Sequence, residues 1–290
     1  MGMHRSGTTL LTRLLAQLGV QIGADSTRET SESLFFRRRN YRLLRENGAN
    51  WIQIDPWLSA MQDAAIRHRA INACRNQQFS RWQWQFLGVQ NCWQGQRLSR
   101  MSVPWGWKDP RNTLTLPIWR EVYPEARIIH VVRNGLDVAH SLLTREASLR
   151  QSLLGRCKRN ILMMLPGRRE RVTGRDFPHL EAGFRLWERY LDVATAHLAE
   201  VPDRLKLEFR YEDLLARPQE TLQQLTQFLG LPVTSVRIDQ VTGSINGTRR
   251  FACASKQLSV LEQELTRRPW MVHYYPQGFL HENSGQHAAA

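Results

Sequence analysis

The amino-acid sequence predicts an α/β fold in which a central parallel sheet is flanked by helices in three layers. Three observations predict this class. A glycine-bounded loop at residues 2–7 runs directly into an amphipathic helix. The run Ile128–Val132 is short, apolar and rich in β-branched residues, which suits a buried parallel strand. The length of 290 residues, 42% of them hydrophobic, is natural for one large α/β domain.

The first element is the loop together with the helix predicted at residues 8–18. Leucines recur at helical spacing from position 10 to position 18. The first turn of a helix leaves backbone N–H groups unpaired, and the helix dipole adds positive character there. Gly2 and Gly7 allow the backbone to approach an anion closely. The loop also supplies one fixed positive charge and three hydroxyl groups, from Arg5, Ser6, Thr8 and Thr9. This combination predicts a cradle for phosphate or sulfate.

The spacing of the loop glycines is that of a P-loop, with four residues between them. A P-loop that hydrolyses ATP carries Lys-Ser or Lys-Thr after the second glycine, whereas this chain carries Thr8-Thr9. The missing lysine is the residue that contacts the β- and γ-phosphates. The sequence therefore predicts a P-loop-like fold whose nucleotide is not a triphosphate.

The next elements are a polar loop at 23–31, a helix at 33–47 and a helical region at 56–100 with uncertain boundaries. The last of these is rich in tryptophan and glutamine. Trp82, Trp84 and Trp93 are candidates for the wall of an acceptor pocket, although packing is the simpler expectation for them.

A third segment, residues 105–111, reads Trp-Gly-Trp-Lys-Asp-Pro-Arg and is expected to end a strand. The chain has only four lysines among 40 basic residues. A lysine kept at position 108 amid such an arginine bias suggests that a compact, mobile ammonium group is wanted there. The alternative is that Lys108 forms an ion pair with Asp109 or another carboxylate.

The strand Ile128–Val132 is followed by Arg133, by an Asn-Gly turn and by a helix from Leu136 onward. Ser141 lies inside that helix, eight residues after Arg133. A guanidinium group donates to two phosphate oxygens at once, and a hydroxyl group adds a directional hydrogen bond. A further amphipathic helix at 181–200 has a core-forming stripe. A strand then precedes Tyr211, and a helix follows at 220–229.

These segments resemble the sulfotransferase family, which uses 3′-phosphoadenosine 5′-phosphosulfate (PAPS) as its donor. The resemblance covers residues 1 to about 232. It implies that the loop binds the 5′-phosphosulfate and that Arg133 and Ser141 bind the 3′-phosphate. It also implies that Tyr211 lies near the adenine, although a half-buried core tyrosine is an equal interpretation. Basic residues of a late loop, here Arg249 and Arg250, often complete the 3′-phosphate site in the family, although a solvent-facing pair is as plausible.

The resemblance implies in-line transfer of a sulfuryl group to a hydroxyl or amine acceptor, with no metal ion required. Arg5 and Lys108 are then expected to stabilise the leaving phosphate. The general base is expected to be Glu32, chosen over Glu29 and Asp109, because some branches of the family carry a glutamate shortly after the first helix. The acceptor is expected to be a small molecule or a saccharide.

One feature departs from the family pattern. The phosphosulfate loop normally follows a buried central strand, whereas here Met1 directly precedes Gly2. A parallel sheet without its central strand would have unpaired edges. Either the chain starts too late or the fold tolerates the loss of this strand. We favour the first alternative and expect about five apolar residues to precede Gly2 in a longer form of the protein.

Composition limits the remaining possibilities. No apolar run could span a bilayer and no secretory signal precedes the loop, so a cytoplasmic protein is expected. Its four cysteines and nine histidines have no metal-ligand spacing. We expect one sulfotransferase-like domain at 1–281 and a disordered tail at 282–290. The net charge of +14 suits an anionic cofactor, but it is also compatible with a non-catalytic basic protein that binds polyanions. A kinase-like phosphotransferase is the other alternative. A nucleic-acid partner is not expected.

Overall fold

The computed structural model describes residues 1–151, 177, 179–243, 245 and 258–276. The chain divides into two compact units. The first unit comprises Met1–Val132 and Val193–Asn246, and the second comprises Arg133–Asp192 and Gly247–Ala290. Arg249, Arg250 and the tail at 282–290 lie outside the described residues.

The first half of the first unit is helical. Its elements are α1 (Thr8–Gln17), α2 (Leu34–Glu46), α3 (Asp55–Ala60), α4 (Ala64–Gln78), α5 (Trp84–Leu87), α6 (Val89–Trp93) and α7 (Asn112–Val122). Two single 3-10 turns lie at Arg81–Gln83 and Leu98–Arg100. The helices predicted at 8–18 and 33–47 correspond to α1 and α2, and the region 56–100 contains the 15-residue helix α4 and several short helices. Ser33 sets the start of α2, because its hydroxyl oxygen accepts a hydrogen bond from Phe36 N.

A parallel pair of strands follows in the same unit. Strand β1 (Ile128–Val132) pairs with β2 (Lys206–Arg210), with Ile128 opposite Lys206 and Val132 opposite Arg210. The predicted α/β class with a parallel sheet is therefore confirmed, and helices dominate the described residues. The helices that complete the unit are α10 (Tyr211–Ala216), α11 (Pro218–Leu229) and α12 (Ser235–Thr242).

The strand expected before Lys108 is not formed. Only one residue pairs there, in an isolated parallel bridge between Trp105 and Gln21. Gln21 N donates to Pro104 O at 2.9 Å, and Gly106 N donates to Gln21 O at 3.0 Å. Proline has no N–H group to donate, so Pro104 interrupts a hydrogen-bond ladder at this point.

The leucine face of α1 forms one wall of the core of this unit. Leu11, Leu14 and Leu15 pack in one cluster with Val131 of β1 and with Tyr211 of α10. The leucine periodicity therefore predicts the buried face of α1 correctly.

A cavity of about 900 Å³ lies in the same unit, beside Met1 and β1. Its wall includes Trp105 and Trp107. The backbone of Met1 runs alongside β1, because Met1 N donates to Ile129 O and Val131 N donates to Met1 O. These two bonds are of the kind that a parallel neighbour of β1 would make.

Aromatic side chains fill the space between α2, α7 and the segment before α7. The ring of Phe36 stacks on that of Trp107 with their centroids 4.1 Å apart, and Trp119 meets both edge-on. The tryptophans of the 82–93 region behave differently. Trp82, Trp84 and Trp93 are 49%, 42% and 87% exposed, so the packing expectation for them is wrong.

The second unit contains α8 (Gly135–Gln151), the part of α9 (Leu180–Ala199) up to residue 192, α13 (Val260–Leu265) and α14 (Pro269–Tyr274). A side chain at Gly135 would collide with the rings of Phe184 and Trp187, 2.7 Å away, so only glycine allows α8 and α9 to approach so closely here. The stripe predicted on the 181–200 helix does form core, since Phe184 and Trp187 are at most 1% exposed.

Candidate active site

The predicted anion cradle is a tight turn at the N-terminus of α1. Gly7 is the N-cap residue, with a left-handed φ of 83°, and its carbonyl accepts from Leu10 N at 3.0 Å and Leu11 N at 3.3 Å. Within the described chain, no side chain caps this helix. The N–H groups of its first turn therefore point out of the helix toward the position where an anion would bind.

The turn is held in an unusual backbone conformation. Arg5 is exposed and has a φ of 72°, which non-glycine residues rarely adopt. Ser6, in contrast, is 1% exposed, and its N–H group donates to Met3 O at 3.3 Å. Such conformations persist where the surrounding structure enforces them, and they are frequent at binding sites.

Both loop glycines are required by close approaches. A Cβ atom on Gly7 would lie 2.1 Å from Tyr211 Cδ2, and one on Gly2 would lie 2.6 Å from Val131 O. The Tyr211 ring is 5% exposed and packs directly over Gly7. Of the two interpretations of Tyr211, this position favours a core residue that supports the loop.

Lys108 lies beside the loop helix and is the centre of the site. Its ammonium group donates to Thr30 O at 2.7 Å and to Glu32 Oε1 at 3.2 Å. The same Thr30 carbonyl accepts from Thr9 Oγ1 at 3.1 Å. One carbonyl oxygen thus joins the first turn of α1 to the lysine, although position 30 carried no signal in the sequence.

Lys108 and Glu32 form a buried ion pair. Their side chains are 9% and 8% exposed. Arg37 approaches the other carboxylate oxygen of Glu32 at 3.5 Å from a half-exposed position. Burial lowers the pKa of the Lys108 ammonium group, while the carboxylates of Glu32 and Asp109 oppose that shift. The predicted base and the predicted cation therefore meet, although they are 76 residues apart in sequence.

The two alternative bases are placed differently. Glu29 is exposed in the turn before Glu32. Asp109 is fully buried, and its Oδ1 accepts from Arg111 N at 2.9 Å and Arg111 Nη1 at 3.0 Å. Its Oδ2 accepts from Asn40 Nδ2 at 3.0 Å. Asp109 is thus held by its own segment and by α2, whereas Glu32 contacts the Lys108 ammonium group directly.

Asn40 is a site residue that sequence reasoning missed. It lies four residues after Phe36 on the buried face of α2, and it is fully buried. That spacing was the available signal, because a polar side chain on an apolar helix face must find partners in the core.

Arg133 and Ser141 belong to the second unit. Arg133 follows β1 directly, and its Nη2 donates to Asp137 Oδ2 at 3.2 Å. Asn134 fixes the turn into α8, because its Oδ1 accepts from Leu136 N at 3.0 Å and Asp137 N at 3.3 Å. Ser141 lies on α8 and is half-buried.

No three His, Cys, Asp or Glu side chains among the described residues are grouped so that they could hold a metal ion. In the described part of the chain, no helix combines the length and the apolar character that a membrane span needs.

Comparisons with known proteins agree with the resemblance. The profile of a family described as "Sulfotransferase family" matches residues 1–235. A "Putative protein-tyrosine sulfotransferase" of Caenorhabditis elegans is 26% identical over 125 residues, which are 43% of this chain and 39% of that protein. "Protein-tyrosine sulfotransferase A" of the same organism is 21% identical over 232 residues, which are 80% of this chain and 49% of that protein. The chain thus spans about half or less of each relative.

Two solved structures are also similar. The "Sulfotransferase Domain from the Curacin Biosynthetic Pathway" is 17% identical, with 91% of this chain and 94% of that chain covered and a TM-score of 0.46. Sulfotransferase STF1 from Mycobacterium tuberculosis H37Rv is 16% identical, with 87% and 75% covered and a TM-score of 0.44.

Proposed function

The chain belongs to the sulfotransferase family, and we propose that it transfers a sulfuryl group from PAPS to a hydroxyl or amine acceptor. The observation that carries this proposal is the buried Lys108–Glu32 pair, which Thr30 links to the first turn of α1. A cation, a carboxylate and an uncapped helix N-terminus are the groups that sulfuryl transfer needs.

The donor set of the loop fits an anionic cofactor. The first turn of α1 has N–H groups that no described side chain caps, and the exposed Arg5 adds a positive charge in the loop before it. We assign the 5′-phosphosulfate to the loop residues Arg5, Ser6, Gly7, Thr8 and Thr9. When bound, PAPS supplies the sulfuryl group and a phosphate leaving group.

The nucleotide contacts outside the loop rest on the sequence motifs. Arg133 and Ser141 are assigned to the 3′-phosphate because a guanidinium and a hydroxyl group at this spacing match the family pattern. Arg249 and Arg250 are further candidates for the same phosphate. Tyr211 remains a candidate contact of the adenine, although its ring already supports Gly7.

The side chains of the site have separate tasks in the proposed reaction. Glu32 accepts the proton that the acceptor loses, and Lys108 holds its carboxylate in place by donating to Oε1. Lys108 and Arg5 offset the negative charge that develops on the leaving phosphate oxygen. Burial strengthens the effect of Lys108, since charges interact more strongly away from water.

The acceptor is proposed to be a small molecule or a saccharide. The two relatives from Caenorhabditis elegans are named as protein-tyrosine sulfotransferases, so a tyrosine-containing peptide belongs in any panel of acceptors that is tested. The single domain at 1–281 and the reaction without a metal ion remain proposals of the same kind.

The test of the nucleotide is a thermal-shift titration with 3′-phosphoadenosine 5′-phosphate, ATP and a DNA oligomer. A ligand that binds only the native state raises its apparent stability. We expect the first compound to give the largest shift. A larger shift with ATP would favour a phosphotransferase, and a salt-sensitive shift with DNA alone would favour a polyanion-binding protein.

The test of the base compares Glu32→Gln with Glu29→Gln. Both substitutions remove one carboxylate from the same segment, but only Glu32 contacts Lys108. We expect Glu32→Gln to lower turnover by about 100-fold or more, measured as sulfated product by mass spectrometry, while Glu29→Gln keeps the turnover of the unmodified protein. Equal turnover in the two variants would remove Glu32 from the mechanism.

A further inference from the structure

A buried polar network connects α2 to the segment that carries Lys108, and Asn40 is its hub. The side-chain amide nitrogen of Asn40 donates to Asp109 Oδ2 at 3.0 Å and to Asn112 Oδ1 at 2.8 Å. Asn40 and Asp109 are both fully buried. Asparagine is a poor residue for a helix interior, so its place in the middle of α2 needs a compensating tertiary role.

The carboxamide oxygen of Asn40 is also satisfied. It accepts from Thr115 Oγ1 at 3.0 Å and from Trp119 Nε1 at 2.7 Å, both on α7. Asn112 in turn accepts from Trp107 Nε1 at 3.1 Å. Because a buried network is stabilising only when its members are all paired, this one fixes the distance between α2 and α7.

Two chain neighbours link this network to the active site. Glu32 lies two residues before the start of α2, and Lys108 directly precedes Asp109. The two ends of the network are thus attached to the two partners of the ion pair. The network holds Asp109 from α2 through Asn40, and Arg111 holds it from its own segment.

We infer that Asn40 and Asp109 are positioning residues, which set the separation of Lys108 and Glu32 for sulfuryl transfer. This inference rests on the proposed function of that pair. The competing explanation is that the network stabilises the fold and has no bearing on the pair. The two explanations differ in what they predict for kcat when the network is broken and then restored.

The experiment uses Asn40→Asp, Asp109→Asn and the two together. Asn40→Asp places a second carboxylate against Asp109. Asp109→Asn places a neutral amide opposite the Asn40 amide and removes the carboxylate that accepted its hydrogen bond. The double variant exchanges donor and acceptor and restores one hydrogen bond between the two positions. We expect each single variant to lower kcat by about 10- to 100-fold, with the affinity for 3′-phosphoadenosine 5′-phosphate changed less, and the double variant to recover part of that loss.

A second readout does not depend on activity. The chain has only four lysines, so NMR of isotope-labelled lysine side chains can follow Lys108 individually. We expect Lys108 in the unmodified protein to titrate below the ordinary value of a lysine side chain, since burial lowers the pKa of its ammonium group. In the single variants the Lys108 titration should move, and in the double variant it should return toward its original position.

The matched control is Gln83→Met, which removes another buried hydrogen bond in the same unit, from Leu98 N to Gln83 Oε1. It should lower the free energy of unfolding without moving the Lys108 titration. If Asn40→Asp behaves in the same way, with kcat and the Lys108 titration both unchanged, the inference is overturned. If the titration moves while kcat does not, the shift reports only the changed charge beside Lys108, since the Asp109 carboxylate itself raises the pKa of that ammonium group, and the inference is overturned. Absence of any sulfuryl transfer in the unmodified protein would instead contradict the proposed function.

Discussion

Replacing Gly7 by alanine should damage the anion loop more than its backbone angle alone explains. The added methyl group would lie 2.1 Å from Tyr211 Cδ2 and 2.4 Å from Cε2. Overpacking of this kind costs about 1–3 kcal/mol. The φ of 83° adds about 1–2 kcal/mol, because an L-residue is strained in the left-handed region. Part of this loss of stability is offset, because alanine lowers the conformational entropy of the unfolded chain relative to glycine.

Gly19→Ala is the control that separates the two costs. Gly19 has a φ of 96°, and a methyl group there would meet nothing within 4 Å. Both variants have the backbone strain and the same loss of conformational entropy in the unfolded chain. These contributions therefore nearly cancel when the free energies of unfolding of the two variants are subtracted. Urea unfolding followed by tryptophan fluorescence should show Gly7→Ala to be less stable than Gly19→Ala by about 1–3 kcal/mol.

Two results would refute this reasoning. Equal stability of the two variants, within about 0.5 kcal/mol, would mean that the Tyr211 ring moves aside freely. A double variant with Tyr211→Leu that shows no coupling to Gly7→Ala would lead to the same conclusion. Binding of 3′-phosphoadenosine 5′-phosphate should weaken in Gly7→Ala and stay unchanged in Gly19→Ala, since only Gly7 belongs to the loop.

Three other predictions concern distinct parts of the chain. Arg133→Ala should abolish the preference for 3′-phosphoadenosine 5′-phosphate over AMP, with a loss of about 2–4 kcal/mol of binding free energy if the contact is buried. Titration calorimetry with both nucleotides measures this preference, and a preference that persists in the variant would contradict the prediction. Burial lowers the pKa of His197, so the unfolded chain binds more protons than the folded one between that pKa and the ordinary value of about 6.5. The free energy of unfolding should therefore fall on acidification through this pH window. Urea titrations at several pH values should show a weaker fall in His197→Gln. Fusion of five Ile/Val-rich residues ahead of Met1 should raise the melting temperature, because the cavity beside Met1 and β1 can bury them, whereas a serine-rich fusion of equal length should not.

Local patterns in the sequence predicted the elements that local forces determine. The leucine spacing of α1 and the β-branched run of β1 are of this kind, because the spacing of apolar residues along each element indicates which face is buried. The strand expected before Lys108 was wrong, since one proline at position 104 outweighed the apolar composition around it. The exposed position of Trp93 was also missed, because hydrophobicity does not indicate whether a short helix finds a partner.

Contacts between distant residues could not be predicted from such patterns. The Lys108–Glu32 pair joins residues 76 positions apart, and the Asn40–Asp109 bond joins residues 69 positions apart. The resemblance to a family named Lys108 and Glu32 separately, but only the fold brings them together. The spacing of Asn40 on the apolar face of α2 could indicate a buried polar residue, but only the fold shows which partners it has.

The buried pair also determines which substitutions are informative. Two opposite charges held together avoid most of the cost that either would have alone away from water. Lys108→Ala leaves Glu32 buried, with the half-exposed Arg37 as its remaining ion-pair partner among the described residues, so a loss of turnover there could follow from a rearranged site. Glu32→Gln keeps an oxygen that can accept from Lys108 Nζ, and Lys108 retains the Thr30 carbonyl as a second acceptor. That variant removes the proposed proton acceptor while the neighbouring hydrogen bonds can persist, so its turnover tests the proposed proton transfer more directly than that of a Lys108 variant.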